Sequence, residues 1–286
     1  MKKYYHVCSQ GLEKGLIFSC DDDFISGVND IAICLLKFDV KIVCYCLMNN
    51  HFHFILYGEE QACLEFANEY KRRCGIRLRI SKMEVNALGN LKLSISEIGD
   101  HEYLENAIAY VLRNPLAARI NMMPYHYMWS SADIYFRGNT ASRGGTPVNE
   151  LPERRRNRIL RTKQPLPDCY MVNDRGMIIP ESFVDPTLTE AIFRHPSRLM
   201  FALAKKVETE VELKFGIADQ VSYTDAEMKS LINEYISMEF GVQGISALSN
   251  QQKLKLCPVM KRNYNASVKQ ICRITKLDPE IVSKLV

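Results

Sequence analysis

Two histidines on one predicted strand are the residues of this 286-residue chain best suited to bind a metal. His51 and His53 flank Phe52 in a run of β-branched and aromatic residues, and Asn49-Asn50 before them predicts a turn between two strands. Side chains alternate between the faces of a strand, so both imidazoles should lie on the same face. Imidazole is the commonest metal ligand among side chains, so the strand predicts two adjacent coordination positions.

A helix later in the chain predicts a third ligand and a nucleophile. Asp100 can cap its start, and Pro115 restricts the residue before it, which predicts a helix end near Asn114. Tyr110 and Asn114 are four residues apart, so they share one helical face. A phenol with a pKa of about 10 is a poor nucleophile unaided, and a bound divalent ion can activate a phosphate for its attack. Helix and hairpin would therefore assemble two nitrogens, one amide oxygen and a nucleophile.

Four segments in this order, Tyr5-His6-Val7, 45–53, 110–115 and 127–132, resemble the single-tyrosine HUH transposases. More narrowly, the chain resembles the REP-associated tyrosine transposases and related transposase-like proteins, over roughly residues 4 to 136. The resemblance implies an endonuclease of DNA transposition and recombination that forms a transient 5′-phosphotyrosine between its catalytic tyrosine and single-stranded or hairpin DNA. It also implies a divalent ion, Mg or Mn. On this chain the roles fall on Tyr110 as nucleophile and on His51, His53 and Asn114 as metal ligands.

A zinc site is an alternative use of the same strand. Cys46 lies on the partner strand, and a two-residue turn would place it opposite His53 on the same face of the sheet. Cys46, His51 and His53 could then bind zinc, because thiolate and imidazole are its usual ligands.

Each of these residues also has a purely structural interpretation. A His-x-His pair is often half buried, a helical tyrosine usually packs in a core, and an Asn before Pro often only ends a helix. The alternative function is therefore a catalytically silent, domesticated nucleic-acid-binding protein with a ferredoxin-like domain.

The order of predicted elements indicates an α+β fold. Periodicity predicts a strand at 4–9, a helix at 21–38, a hairpin at 40–57, a helix at 61–79 and a strand at 91–95. This is the order of the ferredoxin-like split βαβ unit, the platform of HUH domains.

The domain prediction has three parts: an HUH domain at 1–137, a basic linker at 138–168 and a mostly helical domain at 169–286. The linker is rich in Gly, Pro, Ser and Arg. Helix starts are predicted at Asp185, Thr224 and Ser249, and 267–286 has the proportions of a helix-turn-helix.

Basic side chains near these elements are candidate DNA contacts, since cations bind the phosphate backbone. The candidates are Arg113 and Arg119 beside the proposed site, Arg154, Arg155 and Arg156 in the linker, and Lys269, Arg273 and Lys284 in the terminal motif. The second helix carries a further basic group that predicts either a solvated face or a DNA contact: Lys71, Arg72, Arg73, Arg77 and Arg79.

Composition predicts a soluble, cytoplasmic protein. The chain is 47% hydrophobic and 24% charged, with a net charge of +4, which permits a polyanionic partner. No apolar run approaches the roughly 20 residues that span a bilayer, so we expect no membrane partner. The ten cysteines show no repeating framework, which suits a reducing compartment.

Overall fold

The computed structural model describes residues 1–9, 16–82, 88–89, 91–118, 120, 123–138, 144–205, 207, 211, 223–264 and 266–286. The described residues within Met1–Gln10 and Ile17–Asp219 form one compact unit, and those within Gly11–Leu16 and Gln220–Val286 form a second. Of the helices described, none has both the length and the apolar character needed to cross a membrane.

The first unit is built on a four-stranded sheet in the order β2-β3-β1-β4. Each neighbouring pair is antiparallel. The strands are β1 (Lys3–Ser9), β2 (Val40–Met48), β3 (His51–Gly58) and β4 (Leu93–Ile98). The predicted two-residue turn at Asn49-Asn50 joins β2 to β3. Together with the helices, this sheet confirms the predicted α+β class.

Helices cover both faces of the sheet. Helices α1 (Asp21–Leu35) and α2 (Glu60–Lys82) lie on one face, where Tyr70 contacts Phe52 and Phe54 with ring centroids 4.9 and 5.1 Å apart. Helix α3 (His101–Ala117) lies on the other face, which carries His51 and His53. The alternation of side chains along β3 therefore separates an aromatic core from a histidine-bearing face.

Helix α3 begins as predicted but ends later. Asp100 accepts a hydrogen bond of 2.6 Å from the backbone N–H of Tyr103, which is the expected cap. The predicted end near Asn114 was wrong, because the helix continues through Pro115 to Ala117. Proline disfavours a helical residue before it without forbidding one. Here the Ala118 N–H bonds to the Asn114 carbonyl at 2.9 Å, which completes the last turn.

The segment after α3 closes the free edge of β2. The Leu47 N–H donates to the Trp129 carbonyl at 2.9 Å, and the Ser131 N–H donates to the Tyr45 carbonyl at 3.1 Å. The Tyr127 hydroxyl adds a bond of 2.9 Å to the Leu47 carbonyl. These contacts give 127–132 a structural role, since an uncovered edge would leave backbone groups without protein partners.

Residues beyond 143 add further elements to the first unit. They form β5 (Thr146–Pro147) and β6 (Met171–Val172), which pair with each other, and helices α4 (Glu153–Leu160), α5 (Pro186–Phe193) and α6 (Pro196–Ala204). Part of the predicted linker is therefore folded, and α4 packs against α1. Asp185 caps α5 as predicted. The division into domains at 137 and 168 stays a prediction.

The described part of the second unit is helical. Its helices are α7 (Asp225–Phe240), α8 (Asn250–Tyr264), α9 (Val268–Thr275) and α10 (Pro279–Leu285). Thr224 and Glu227 form the predicted capping box of α7. Ser249 and Gln252 bond reciprocally at the start of α8, as expected. The three-residue connection between α9 and α10 matches the predicted helix-turn-helix proportions, and its DNA-binding role stays a prediction.

Candidate functional site

The face of the sheet beneath α3 carries the predicted metal ligands. His51 and His53 are both fully buried there. His53 lies on a central strand, so it has a cysteine opposite it on each side: Cys8 on β1 and Cys46 on β2. The predicted register between Cys46 and His53 is therefore confirmed.

His51 and Asn114 meet between the sheet and α3. Nε2 of His51 lies 3.1 Å from Oδ1 of Asn114. Nδ1 of His51 lies 2.9 Å from Oδ1 of Asn50. Both partners are amide oxygens that accept, so a neutral His51 can donate to only one of them; if Nδ1–H donates to Asn50, Nε2 and the Asn114 oxygen present two lone pairs that a cation between them would stabilise. Asn50 was not predicted as a site residue, because the sequence indicated only its place in the turn.

Tyr110 packs against two imidazoles. Its ring is edge-on to His53, with centroids 5.5 Å apart, and edge-on to His6, with centroids 5.9 Å apart. His6 was not predicted as a site residue, although it lies in the first of the four segments that carry the family resemblance. Its position on β1 places it on the histidine-bearing face because it alternates with buried Tyr5 and Val7.

A second group of possible metal ligands surrounds His53. One ligand atom from each of His6, Cys8 and His53 lies within 4.8 Å of the others, and all three residues are buried. Nε2 of His6 is 3.1 Å from Nδ1 of His53. The predicted zinc alternative used Cys46, whose Sγ is 3.8 Å from Sδ of Met48. The cluster of possible ligands in the structure contains Cys8 in place of Cys46.

The burial of Tyr110 and Asn114 limits which molecules can reach the site in this conformation. Tyr110 is 2% exposed and Asn114 is 5% exposed. A DNA phosphate therefore has no direct path to the phenol in this conformation. Any reaction at Tyr110 therefore requires a rearrangement that exposes its hydroxyl.

Arg113 is tied into the fold rather than displayed at the surface. It is 4% exposed, and its guanidinium donates to the Leu203 carbonyl at the end of α6. A second contact between the same helices joins Arg198 to Glu105, with 2.8 Å between Nη2 and Oε1. The predicted phosphate contact of Arg113 stays a prediction that would need these helices to separate.

We expect Arg113→Met to lower the free energy of unfolding by about 1–3 kcal/mol, because a buried carbonyl loses its charged donor while most of the apolar stem remains. Arg137→Met is the control, since Arg137 forms only a partly exposed pair with Asp133, and it should cost less than about 1 kcal/mol. Denaturant titration measures both variants. Wild-type stability combined with weaker DNA binding in Arg113→Met would favour the phosphate contact instead.

The other predicted DNA contacts do not lie beside Tyr110. One group is on a different helix of the first unit, and another group belongs to the second unit. Arg154, Arg155 and Arg156 are on α4, which packs on the α1 side of the sheet, opposite α3. In the second unit, Lys269 and Lys284 are exposed, and Arg273 forms two bonds of 2.8 Å to Asp225. Arg119 lies outside the described residues. These DNA contacts stay predictions.

The basic residues of α2 divide between surface and interior. Arg73 and Arg77 point towards α1 and bond to Asp30 at 2.6 and 3.3 Å. Arg72 pairs instead with Glu69 on its own helix at 2.6 Å. The helix is therefore neither a uniform solvated face nor a uniform DNA-binding face.

Comparison with known proteins gives a distant similarity. No family model matches the chain, and no curated protein matches it. A solved structure of a REP-associated tyrosine transposase bound to a REP hairpin is similar at 11% identity and a TM-score of 0.36. The alignment covers 44% of this chain and 74% of that chain. The functional argument therefore rests on the site residues themselves.

Proposed function

We propose that the protein is a transposase-like endonuclease that cleaves and transfers single-stranded or hairpin DNA through Tyr110. The observation that carries the proposal is the separation of 3.1 Å between Nε2 of His51 and Oδ1 of Asn114. Asn114 lies one helical turn from Tyr110, whose ring contacts His53. Two ligand types and a nucleophile therefore occupy one small region.

The donor set fits a divalent ion. His51, His53 and Asn114 would supply two imidazole nitrogens and an amide oxygen, a mixed set that suits Mn²⁺ better than the harder Mg²⁺. Asn50 supports this use, because accepting from Nδ1–H fixes the tautomer in which Nε2 can bind a metal. When bound, such an ion would polarise a phosphate oxygen and offset its negative charge.

The chain's own nucleophile determines the products. The phenolate oxygen of Tyr110 attacks the phosphorus of a phosphodiester, and a new P–O bond forms as the bond to the 3′-oxygen breaks. The departing 3′-oxygen takes up a proton. The products are a 5′-phosphotyrosine on the protein and a DNA strand with a free 3′-hydroxyl, which can later attack the phosphotyrosine to restore the phenol.

The sheet is proposed to serve as a ferredoxin-like platform for this chemistry. The supporting observation is the chain order β1-α1-β2-β3-α2-β4, combined with the spatial order β2-β3-β1-β4. In this arrangement β1 and β3 are central, so residues on them are held by hydrogen bonds on both sides. Such strands are suitable supports for metal ligands, whose positions must be fixed closely.

A silent nucleic-acid-binding protein is the second candidate. The observation that favours it is the burial of Tyr110 between α3 and the sheet, at 2% exposure. A site that never opens would keep its histidines and tyrosine as core residues. The two candidates predict different accessibility of Tyr110 when DNA and metal are present.

Strand-specific labelling tests the proposal. The full-length protein is incubated with hairpin-bearing single-stranded DNA and Mn²⁺, then denatured. A 5′-phosphotyrosine retains the 3′-labelled part of the DNA on the protein and releases the 5′-labelled part. DNA binding without an adduct for either label would support the silent protein and overturn the nuclease.

We expect Asn50→Ala to weaken Mn²⁺ binding about 10- to 100-fold, because His51 would lose the acceptor that fixes its tautomer. Mn²⁺ binding is measured from the electron paramagnetic resonance signal of the free ion. Asn49→Ala is the matched turn control, since the Asn49 carbonyl that accepts from Ile17 and Phe18 is retained. Equal loss of Mn²⁺ affinity in both variants would indicate a general effect on the turn rather than on His51.

A further inference from the structure

His53 lies between two groups of possible metal ligands. His51, which contacts Asn114, has its ring centroid 5.0 Å from that of His53, and His6 and Cys8 form a buried group with His53. The proposed nuclease uses His53 together with His51 and Asn114 and does not use His6 or Cys8. The second group has a different chemical character, because it contains a thiol and no oxygen donor.

The spacing of the second group is close to that of ligands around one ion. With Zn–N bonds near 2.0–2.1 Å and tetrahedral angles, two coordinating nitrogens are about 3.3 Å apart. Nε2 of His6 and Nδ1 of His53 are 3.1 Å apart. A coordinating sulfur would lie about 3.6 Å from each nitrogen, given a Zn–S bond near 2.3 Å. Cys8 is already within 4.8 Å, so a small adjustment of side chains would complete the set.

The sheet holds these three residues close together without a bound metal. Cys8 is directly opposite His53 in the antiparallel pairing of β1 with β3, and His6 is two residues along on the same face. Because the backbone positions are fixed by the sheet, binding would order little additional chain. All three side chains are buried, so bulk water would not compete freely for the ion.

We propose that His6, Cys8 and His53 form a site for zinc that competes with the catalytic Mg²⁺ or Mn²⁺ for His53. Thiolate with two imidazoles selects zinc over magnesium and manganese, and zinc also binds nitrogen and sulfur ligands more tightly than manganese does. Binding converts the Cys8 thiol to a thiolate and releases its proton to solvent. The fourth position of a tetrahedral ion would be filled by a single enclosed water.

Competition follows from the two nitrogens of His53. A neutral imidazole carries a proton on one nitrogen and a lone pair on the other. If Nδ1 binds zinc beside His6, Nε2 carries the proton and cannot bind a second ion. The zinc-bound protein would then lack one ligand of the nuclease site. This part of the proposal rests on the proposed nuclease function, whereas zinc binding itself does not.

Cobalt substitution tests the zinc site directly. Full-length, metal-free protein is titrated with Co²⁺ to equilibrium, and we expect one tetrahedral Co²⁺ per chain with a sulfur-to-metal charge-transfer band that zinc abolishes. Cys8→Ser should remove the band and weaken zinc binding at least about 100-fold. Cys46→Ser, on the opposite neighbouring strand, should change neither. His6→Gln provides a second loss variant in case Cys8→Ser does not fold.

Two results would overturn the zinc proposal. One is the absence of a charge-transfer band in folded wild-type protein. The other is loss of the band in Cys46→Ser with retention in Cys8→Ser, which would move the site to the other cysteine.

A competition experiment separates this inference from the nuclease proposal. Mn²⁺ binding to wild-type protein should fall when one equivalent of zinc is added, and the same fall in Cys8→Ser should need more zinc, because only direct exchange at the nitrogen and oxygen ligands remains there. If the cobalt band appears but Mn²⁺ never binds, the zinc site stands and the proposed nuclease site fails. If zinc and Mn²⁺ bind together without interference, competition for His53 is wrong.

Discussion

Replacing Tyr110 with phenylalanine is expected to abolish the covalent DNA adduct, a loss of at least about 1000-fold, because the reaction loses its nucleophilic oxygen. The ring remains, so its edge-on contacts with His6 and His53 should persist. DNA affinity should also stay near the wild-type value. Adduct yield on a denaturing gel and affinity by titration are measured on the same preparation.

Tyr103→Phe is the matched control for this experiment. Tyr103 is on the same helix, about two turns before Tyr110, and is similarly buried at 4% exposure. We expect this variant to form the adduct normally. An adduct that survives in Tyr110→Phe would exclude Tyr110 as the nucleophile, and its loss in Tyr103→Phe alone would transfer the role to Tyr103.

Local patterns predicted the features of the site that depend on few residues. Alternation along one strand placed His51 and His53 on one face, and helical spacing placed Asn114 on the same face of α3 as Tyr110. The turn at Asn49-Asn50 fixed the register between Cys46 and His53. In each case the determining interactions lie within a hairpin or a single helix, so they can be identified from sequence.

Contacts between distant segments were not predictable in the same way. His6 and Cys8 reach His53 only because β1 pairs with β3, across some 45 residues of sequence. The contact of Arg113 with Leu203 depends on how α6 packs against α3. These long-range contacts also bury Tyr110, and helical periodicity indicates only which face is apolar and not what will cover it.

The composition of 138–168 predicted a linker and did not predict the helix within it, because that helix also depends on long-range contacts. Gly, Pro and Arg favour exposed chain, yet Glu153–Leu160 is helical. Its C-terminal carbonyl at Leu160 accepts a hydrogen bond of 3.2 Å from Arg73 on α2. A short helix of this kind is stabilised mainly by tertiary contacts rather than by intrinsic propensity.

Asp30 is the centre of a buried ionic group that fixes α1 against α2 behind the sheet. Its carboxylate bonds to Arg73 at 2.6 Å and to Arg77 at 3.3 Å. Burial raises the pKa of Asp30 above its usual range, although both guanidiniums lower it. The cost of removing the charges from water is therefore large compared with their attraction. Such a group contributes more to the placement of helices than to net stability.

Asp30→Asn is expected to lower the free energy of unfolding by about 3–5 kcal/mol, because Arg77 is only 4% exposed and would lose its closest counter-charge. Adding Arg77→Met should recover part of the loss, with a coupling of about 0.5–3 kcal/mol in a double-mutant cycle. Glu97→Gln is the exposed-pair control, since it contacts Lys3 with both side chains nearly half exposed, and it should cost less than about 1 kcal/mol. Denaturant unfolding gives all these values. Additive losses for Asp30 and Arg77 would show that the pair is not energetically coupled, and Arg73 would then be the energetically relevant ionic partner of Asp30.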